Sequence, residues 1–391
     1  GSIEVNASSD EIHSVYSLSN NFYNWDFISN SFSLDLNTKT INAKGVPDIQ
    51  VADAYIIPEN EELYIREGFQ ILPLSNSVLV LDTINEFHRF VNSNVSVLTK
   101  DKFEGKGVYE YVNFDLDTFN IPFSQFELKN VNNNQLTSFS AGDVSELNPI
   151  LMEPGFNFYG NIELLANSEQ LLFNGSIIPS EIEGFNISNA IPFNEYFVPG
   201  DELTLTISDK DGFYNAAISK VSNNLFFDFF NNPVNKKSLV FFNPEGLLSY
   251  DPFTKEYLIE TKSKRDQDVY NGNSLLYNPV EKSIAFEGSV DLISNDNNFK
   301  VYSSMSGKTT LDSMNIETDA FIIIDANLKR SIVDELGFAF NDIIETYGAP
   351  IAHDNEQDVL MRLSDLIGND KTIAYENLIL SEYKSLVEAD G

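Results

Sequence analysis

The sequence predicts a mainly β protein of stacked antiparallel hairpins, followed by a small C-terminal α-helical module. Phenylalanine and tyrosine are abundant, at 31 and 17 residues, and aromatic side chains favour the pleated surface of β-strands. Clusters such as Asn132-Asn133-Asn134 separate the apolar runs, and asparagine suits turns because it tolerates positive φ. A strand–turn–strand pattern also recurs along the chain, which is typical of an extended β architecture. These observations leave open whether the hairpins form a jelly-roll or solenoid-like stack or a sandwich.

The clearest copy of the hairpin pattern spans residues 271–292. Its first strand follows Gly272 and contains Tyr277, its turn contains Pro279, and its second strand contains Phe286 and Gly288. Glycine within a strand indicates a bulge or a close approach of two backbones. We therefore assign these five residues to a structural repeat.

Two earlier segments contain looser copies of the same pattern. Residues 31–45 alternate apolar and polar side chains around a turn and end at Gly45. Residues 156–177 contain Gly160 before the first strand and Gly175 at the end of the second. If the three segments are true repeats, Gly45, Gly175 and Gly288 should lie at equivalent positions.

The spacing of strands and turns divides the chain into five predicted segments. Residues 1–20 are polar and are expected to form a flexible lead or an edge strand. Three β regions follow, at residues 21–145, 146–222 and 223–324. From residue 325 to 391 the apolar spacing becomes helical, as the positions of Leu328, Ile332 and Leu336 indicate. This last segment is the predicted helical module.

The charge of the chain excludes several classes of partner. Lysine and arginine number 24 against 59 acidic residues, which gives a formal net charge of −35. So negative a chain would repel nucleic-acid phosphates and would disfavour the docking of a peripheral helix on anionic lipid. No apolar stretch reaches the roughly 18 residues that a transmembrane helix needs. We therefore predict neither nucleic-acid binding nor a transmembrane helix.

The sequence offers no motif for catalysis or for metal and cofactor binding. Cysteine is absent, and the three histidines, His13, His88 and His353, are far apart. None of them has a partner at the spacing of metal ligands or of a Ser-His-acid site. We predict a non-enzymatic protein with no catalytic residue, no metal and no cofactor. Paired carboxylates for glycoside hydrolysis remain open, because 59 acidic residues produce chance pairs.

The hairpin at 271–292 resembles the OstA-like repeat of lipopolysaccharide-transport proteins of the bacterial envelope. The matching residues are Gly272, Leu275, Tyr277, Asn278, Pro279, Ile284, Phe286, Gly288 and Val290. The resemblance implies short strand pairs stacked into a U-shaped β-jelly-roll whose apolar groove carries lipid. The composition is also similar to that of large envelope proteins of Bacteroidota. Both likenesses imply a periplasmic or cell-surface location, with this chain as a segment of a larger secreted protein.

The leading functional hypothesis is a non-enzymatic β scaffold or binding protein of the cell envelope. It would contact a lipid or a protein partner through a β groove or a sheet edge. The alternative is a carbohydrate-binding or carbohydrate-active surface protein. A continuous apolar groove would favour lipid or protein. A cleft with exposed aromatic side chains and two carboxylates about 5–10 Å apart would favour a glycan.

Overall fold

A computed structural model describes most of the β region of the chain. The described residues are 3–9, 14–20, 25–131, 135–183, 185–207, 213–221, 224–235, 240–267, 272–290, 299–310 and 317–326, with Ser364, Asn369 and Ile373. Nearly all of the ordered elements in these ranges are antiparallel strands. The predicted mainly β, antiparallel fold is therefore confirmed.

The chain divides into two compact units. The first comprises residues 1–178 and 191–202, and the second comprises residues 179–190 and 203–391. This division differs from the five predicted segments. The predicted boundary at 145/146 falls inside one continuous sheet of the first unit, because strands on both sides of it pair with each other.

The first unit contains seventeen strands in three sheets. Their bounds are β1 Ile3–Ser9, β2 Ser14–Asn20, β3 Trp25–Ser29, β4 Ser31–Asp35, β5 Thr40–Lys44, β6 Ile49–Val51, β7 Ala54–Ile57, β8 Glu62–Ile65, β9 Leu74–Leu81, β10 His88–Thr99, β11 Lys102–Val112, β12 Thr118–Val131, β13 Gln135–Val144, β14 Ile150–Glu153, β15 Phe156–Leu165, β16 Leu171–Pro179 and β17 Ile191–Phe197. A short 3-10 turn at Glu59–Glu61 precedes β8.

An eleven-stranded antiparallel sheet dominates this unit. Its order is β17-β16-β15-β13-β12-β11-β10-β9-β7-β6, with β14 paired to β15. Two three-stranded sheets, β1-β2-β3 and β4-β5-β8, complete the unit. Consecutive strands are almost always neighbours, so the short turns of the sequence suffice to connect them.

The large sheet has two chemically different faces, because successive side chains of a strand point to opposite sides. One face, here called the inner face, carries large aromatic residues that are almost fully buried. The inner-face aromatics are Phe90, Phe103, Tyr109, Tyr111, Phe123, Phe126, Phe158, Phe173, Phe193 and Phe197. Many of their rings meet edge-to-face, as Phe158 and Phe173 do at 5.0 Å and 86°, which is a favourable arrangement of two ring quadrupoles.

Hydrogen bonds show that the large sheet curls until distant strands meet. Asp53, in the turn between β6 and β7, accepts hydrogen bonds from Thr137 Oγ1 at 2.9 Å, Ser138 N at 2.8 Å and Ser138 Oγ at 2.5 Å. Thr137 and Ser138 belong to β13, which is several strands away from β7 in the sheet order. The Asp53 cluster (Asp53, Thr137 and Ser138) therefore links two parts of the sheet that share no ladder.

The second unit contains ten described strands, one short helix and a 3-10 turn. Their bounds are β18 Leu205–Ile207, β19 Phe213–Val221, β20 Asn224–Asn235, β21 Val240–Phe242, β22 Gly246–Asp251, β23 Glu256–Glu260, β24 Ser274–Asn278, β25 Ser283–Val290, β26 Phe299–Thr310, β27 Glu317–Ala326, helix α1 Lys262–Gln267 and the 3-10 turn Ile187–Asn189. They form a seven-stranded sheet, β18-β22-β23-β24-β25-β26-β27, and a three-stranded sheet, β20-β19-β21.

The structure describes much of the N-terminal segment of the chain but almost none of the C-terminal segment. Residues 1–20, predicted as a flexible lead or an edge strand, contain β1 and β2, which pair with each other and with β3. β1 is an edge strand of this three-stranded sheet. The alternation of apolar and polar residues explains why this segment forms strands. Leu18 is fully buried and is the register partner of Phe27. The helical module predicted for residues 325–391 lies outside the described residues, apart from Asp325 and Ala326 in β27 and the isolated Ser364, Asn369 and Ile373.

Candidate functional site

Two of the predicted repeat glycines hold equivalent positions. Gly45 directly follows the last residue pair of the β4–β5 hairpin and faces Asn30. Gly288 follows the corresponding pair of the β24–β25 hairpin and faces Asn273. Both have positive φ, at +66° and +136°, and a Cβ on either would collide with the asparagine side chain. Only glycine fits such a position without strain.

The turns of these two hairpins also match. Asp35 Oδ1 accepts from the backbone N–H groups of Asn37 and Thr38, and Asn278 Oδ1 accepts from those of Val280 and Glu281. Each turn ends in a lysine at φ 53°, Lys39 in one and Lys282 in the other. Pro279 lies inside the second turn, a position at which the fixed φ of proline is tolerated.

A third copy of this turn lies in the β22–β23 hairpin, which sequence reasoning missed. Asp251 Oδ1 accepts from Phe253 N and Thr254 N, and Lys255 has φ 62°. Thr261 occupies the position that Gly45 and Gly288 occupy in the other two hairpins. A pattern that requires glycine at this position therefore does not include the β22–β23 hairpin. The shared signal is Asp or Asn followed four residues later by Lys. Asn278 Nδ2 also donates to Thr254 O at 3.0 Å, which joins the two turns.

Gly160 and Gly175 belong to a different arrangement. They lie within the long strands β15 and β16, and a Cβ on Gly160 would be 2.5 Å from the Cα of Gly175. Gly175 therefore allows the backbones of β15 and β16 to approach closely in the middle of the strands. It does not lie at the end of a hairpin as Gly45 and Gly288 do. Gly272, at φ +100°, packs against Thr261.

Tyr277 and Phe286 are core residues of the second unit. The Tyr277 ring lies 5.1 Å from both Phe227 and Phe229, and burial raises the pKa of its hydroxyl. Phe286 contacts Phe241 and Phe242 at 5.9 and 5.1 Å. Neither residue faces a site, so the predicted repeat residues account for packing and turn geometry.

A candidate binding site in the described part of the chain is a depression on the outer face of the first unit's large sheet, opposite the inner-face aromatics. It has a volume of about 190 Å³. We call it the outer-face depression. Its lining residues are Lys129, Phe139, Glu163, Leu164, Leu165, Ser168, Gln170, Leu172 and Tyr196.

Strand register explains why these residues meet. Phe139 on β13 pairs with Leu165 on β15, and Leu172 on β16 pairs with Tyr196 on β17. Neighbours of this kind lie on the same side of a sheet. Four strands thus contribute an apolar floor and one exposed aromatic wall, since 62% of Tyr196 is accessible to solvent.

Polar groups form the rim of the outer-face depression. Lys129 Nζ lies 2.9 Å from the centre of the Phe139 ring, a favourable cation–π contact. Glu163 contributes a carboxylate, and Gln170 and Ser168 contribute groups that both donate and accept hydrogen bonds. The rim therefore contains one positive and one negative side chain.

His88 fixes the loop that carries Ser168. Its Nε2 lies 2.7 Å from Ser168 O, and its Nδ1 lies 3.2 Å from the hydroxyl of Tyr109. Because a carbonyl oxygen only accepts, Nε2 carries the proton and Tyr109 donates to Nδ1. Burial is the largest influence and lowers the pKa of His88 below its usual 6.5, although the hydrogen bond to Ser168 O and, less strongly, the charge of Asp82 act in the opposite direction. His13 and His353 lie outside the described residues.

We expect mild acid to destabilise the first unit through His88. A histidine whose pKa is lowered by folding stabilises the native state above its unfolded pKa, and this stabilisation is lost as the pH falls below about 6.5. The wild-type protein should therefore lose more Tm between pH 7.5 and 5.5 than His88→Gln, whose amide can still donate to Ser168 O. Differential scanning fluorimetry measures both. An equal loss in the two proteins would show that the pKa of His88 is the same in the folded and unfolded states.

Two further observations concern the described ranges alone. No helix within them is long and apolar enough to cross a bilayer. The same ranges contain no group of three or more histidine, aspartate or glutamate side chains arranged to hold a metal ion.

No family model, no curated protein and no solved structure matches this chain.

Proposed function

We propose that this chain is a non-enzymatic β scaffold of the cell envelope that binds an extended segment of a partner protein along strand β17. The single observation that carries the proposal is the exposure of this strand at the end of the large sheet. β17 is the last strand in the sheet order, and four of its seven residues are exposed. An open edge presents unpaired N–H and C=O groups to which another strand can add.

The opposite edge of the same sheet is closed by comparison. β6 has only three residues, and Ile49 and Val51 are fully buried. The adjacent Ala52 N donates to Lys100 O at 2.7 Å. Short, covered edges are a common protection against unwanted pairing. Among the described residues, nothing gives the longer, exposed β17 that protection, which supports a role in binding.

Pro192 indicates which backbone groups of β17 face outward. Proline has no N–H, so within a sheet it is tolerated where that position faces away from the neighbouring strand. Alternate residues share this direction, and Asn194 and Tyr196 are two and four residues further along. Their N–H and C=O groups would then be free for a partner strand.

The interior of the first unit is less suited to lipid cargo. The inner face is filled by buried, mutually contacting aromatic rings such as Phe90, Phe123 and Phe126. An acyl chain would have to displace these contacts, at a cost comparable to that of opening a core cavity. This favours a protein partner over the lipid that the OstA-like resemblance implies.

Charge favours a partner of different sequence over a second copy. Two chains that each carry −35 repel each other at low ionic strength. Glu195 adds a negative, exposed side chain to β17 itself. A neutral or basic extended segment is the best match.

The experiment is a selection of seven-residue peptides displayed on phage, against the purified chain. We expect enrichment of sequences that alternate β-branched and basic residues, because these favour strands and complement Glu195. Hydrogen exchange should show that a selected peptide protects the amides of Asn194 and Tyr196.

Two variants at one position provide the control. Asn194→Pro removes the outward N–H and should weaken peptide binding by about tenfold, the cost of one or two lost hydrogen bonds. Asn194→Ala removes the side chain and keeps the N–H, so binding should persist. Equal binding by both variants, or protection at a different strand, would contradict the proposal.

A further inference from the structure

We propose that the outer-face depression binds a single neutral sugar ring, with the Tyr196 ring against the apolar face of the sugar. This inference rests on the face of the sheet and is independent of the strand addition proposed for the β17 edge. It follows from the size of the depression, the types of its lining groups and the balance of its charges.

Size limits the ligand to a small one. The depression holds about 190 Å³, below the roughly 300–1,000 Å³ of pockets for drug-sized molecules. It lies open on a sheet face, so a ring could enter while its substituents continue into solvent. This suits one residue of an oligosaccharide better than a free cofactor.

The floor and wall suit a ligand with an apolar face. Phe139, Leu165 and Leu172 are half-buried and form the floor, while Tyr196 is exposed beside them. A pyranose presents C–H groups on its faces, and an exposed aromatic ring can stack against such a surface. Tyr196 has only two rotatable side-chain torsions, so little entropy is lost when a ligand fixes it.

The rim suits a ligand with several hydroxyl groups. Lys129 supplies donors, Glu163 supplies acceptors, and Gln170 supplies both. Each sugar hydroxyl can donate and accept, so one ring can satisfy all three side chains at once. Ser168 is also held in place at this rim. Its Oγ donates a hydrogen bond to Gln170 O at 3.2 Å, and its carbonyl oxygen accepts one from His88.

Other classes of ligand fit less well. A purely apolar ligand would cover Lys129 and Glu163 without giving them partners, which is costly for charged groups. An anion would meet Glu163 and a chain of net charge −35, and a cation would meet Lys129. A neutral polyol ring avoids each of these penalties.

The test is isothermal titration of the wild-type chain with glucose, galactose, mannose, N-acetylglucosamine and their β-linked disaccharides. We expect at least one neutral sugar to bind in the millimolar range. Glucuronate, which adds a carboxylate to the same ring, should bind more weakly than glucose. Tyr196→Ala should lower the affinity by about tenfold through loss of the stacking surface, while Tyr196→Phe should keep it within about threefold.

Further variants separate the depression from other exposed groups. Glu163→Gln should weaken binding without changing Tm, because it keeps the shape and loses the charged acceptor. Phe253→Ala removes an aromatic side chain that is 95% exposed in the second unit and should leave sugar binding unchanged. The proposal is overturned if no sugar of the panel binds, if glucuronate binds more tightly than glucose, or if Tyr196→Ala binds as the wild type does.

Discussion

We expect Phe173→Ala to lower the free energy of unfolding of the first unit by about 3–5 kcal/mol. Phe173 is fully buried on β16, at the centre of the inner-face aromatics. Its ring lies 5.0 Å from Phe158, 6.1 Å from Tyr111, 6.1 Å from Phe193 and 5.9 Å from Phe197. Truncation removes four aromatic contacts and opens a cavity that the hydrogen-bonded sheet backbone cannot collapse to fill.

The single tryptophan makes this effect measurable within the first unit. Trp25 lies on β3, is 3% exposed and donates through Nε1 to Phe69 O at 3.1 Å. Its fluorescence should report unfolding of this unit in a urea titration. Phe173→Leu fills most of the cavity and should cost about 1 kcal/mol, which keeps the comparison possible if the alanine variant does not fold.

Phe114→Ala is the matched control for Phe173→Ala. Phe114 is half exposed in the turn after β11, so its removal should change the stability by at most about 0.5 kcal/mol. If Phe173→Ala cost no more than this, the aromatic rings of the inner face would contribute little to the stability of the unit.

Local signals in the sequence predicted the hairpins because a hairpin is a local structure. Alternation of apolar residues and an Asx turn determine both the strands and the register of residues 31–45 and 273–288. The copy at β22–β23 shows the limit of the glycine signal. There Thr261 stands where Gly45 and Gly288 stand, although the Asp251 turn has the same hydrogen bonds.

The candidate site could not be predicted in the same way. Its lining residues come from β12, β13, β15, β16 and β17 and the turns between them, and no two of the polar ones form a sequence motif. Only the pairing of long strands brings Phe139 beside Leu165 and Leu172 beside Tyr196. An exposed tyrosine in a chain with 17 of them gives no local indication of its position.

The curl of the large sheet is likewise a non-local property. Asp53 and Ser138 are far apart in the sequence, and nothing near either residue indicates that they meet. In the sequence, Asp53 is an acidic turn residue and Ser138 belongs to a polar strand, and both features are common in β proteins. Burial explains their importance, since Thr137 and Ser138 are almost completely inaccessible to solvent and need hydrogen-bond partners.

We expect Asp53→Ala to destabilise the first unit by about 3–4 kcal/mol, close to the effect of the core truncation. The variant removes an acceptor that receives three hydrogen bonds, from Thr137 Oγ1, Ser138 N and Ser138 Oγ. It leaves these groups buried without a partner, which costs more than the loss of an exposed hydrogen bond. Trp25 fluorescence in urea measures the change in stability, and hydrogen exchange at the Ser138 amide measures local opening.

Asp101→Ala controls for the change in charge. Asp101 lies in the exposed turn between β10 and β11, so the same loss of one carboxylate should alter the stability by at most about 0.5 kcal/mol. Faster exchange at Ser138 in the Asp53 variant alone would show that the cluster holds β7 against β13. If Asp53→Ala and Asp101→Ala were equally stable, packing of the inner-face aromatics would suffice to keep the sheet curled, and the Asp53 cluster would be a consequence of the curl and not one of its causes.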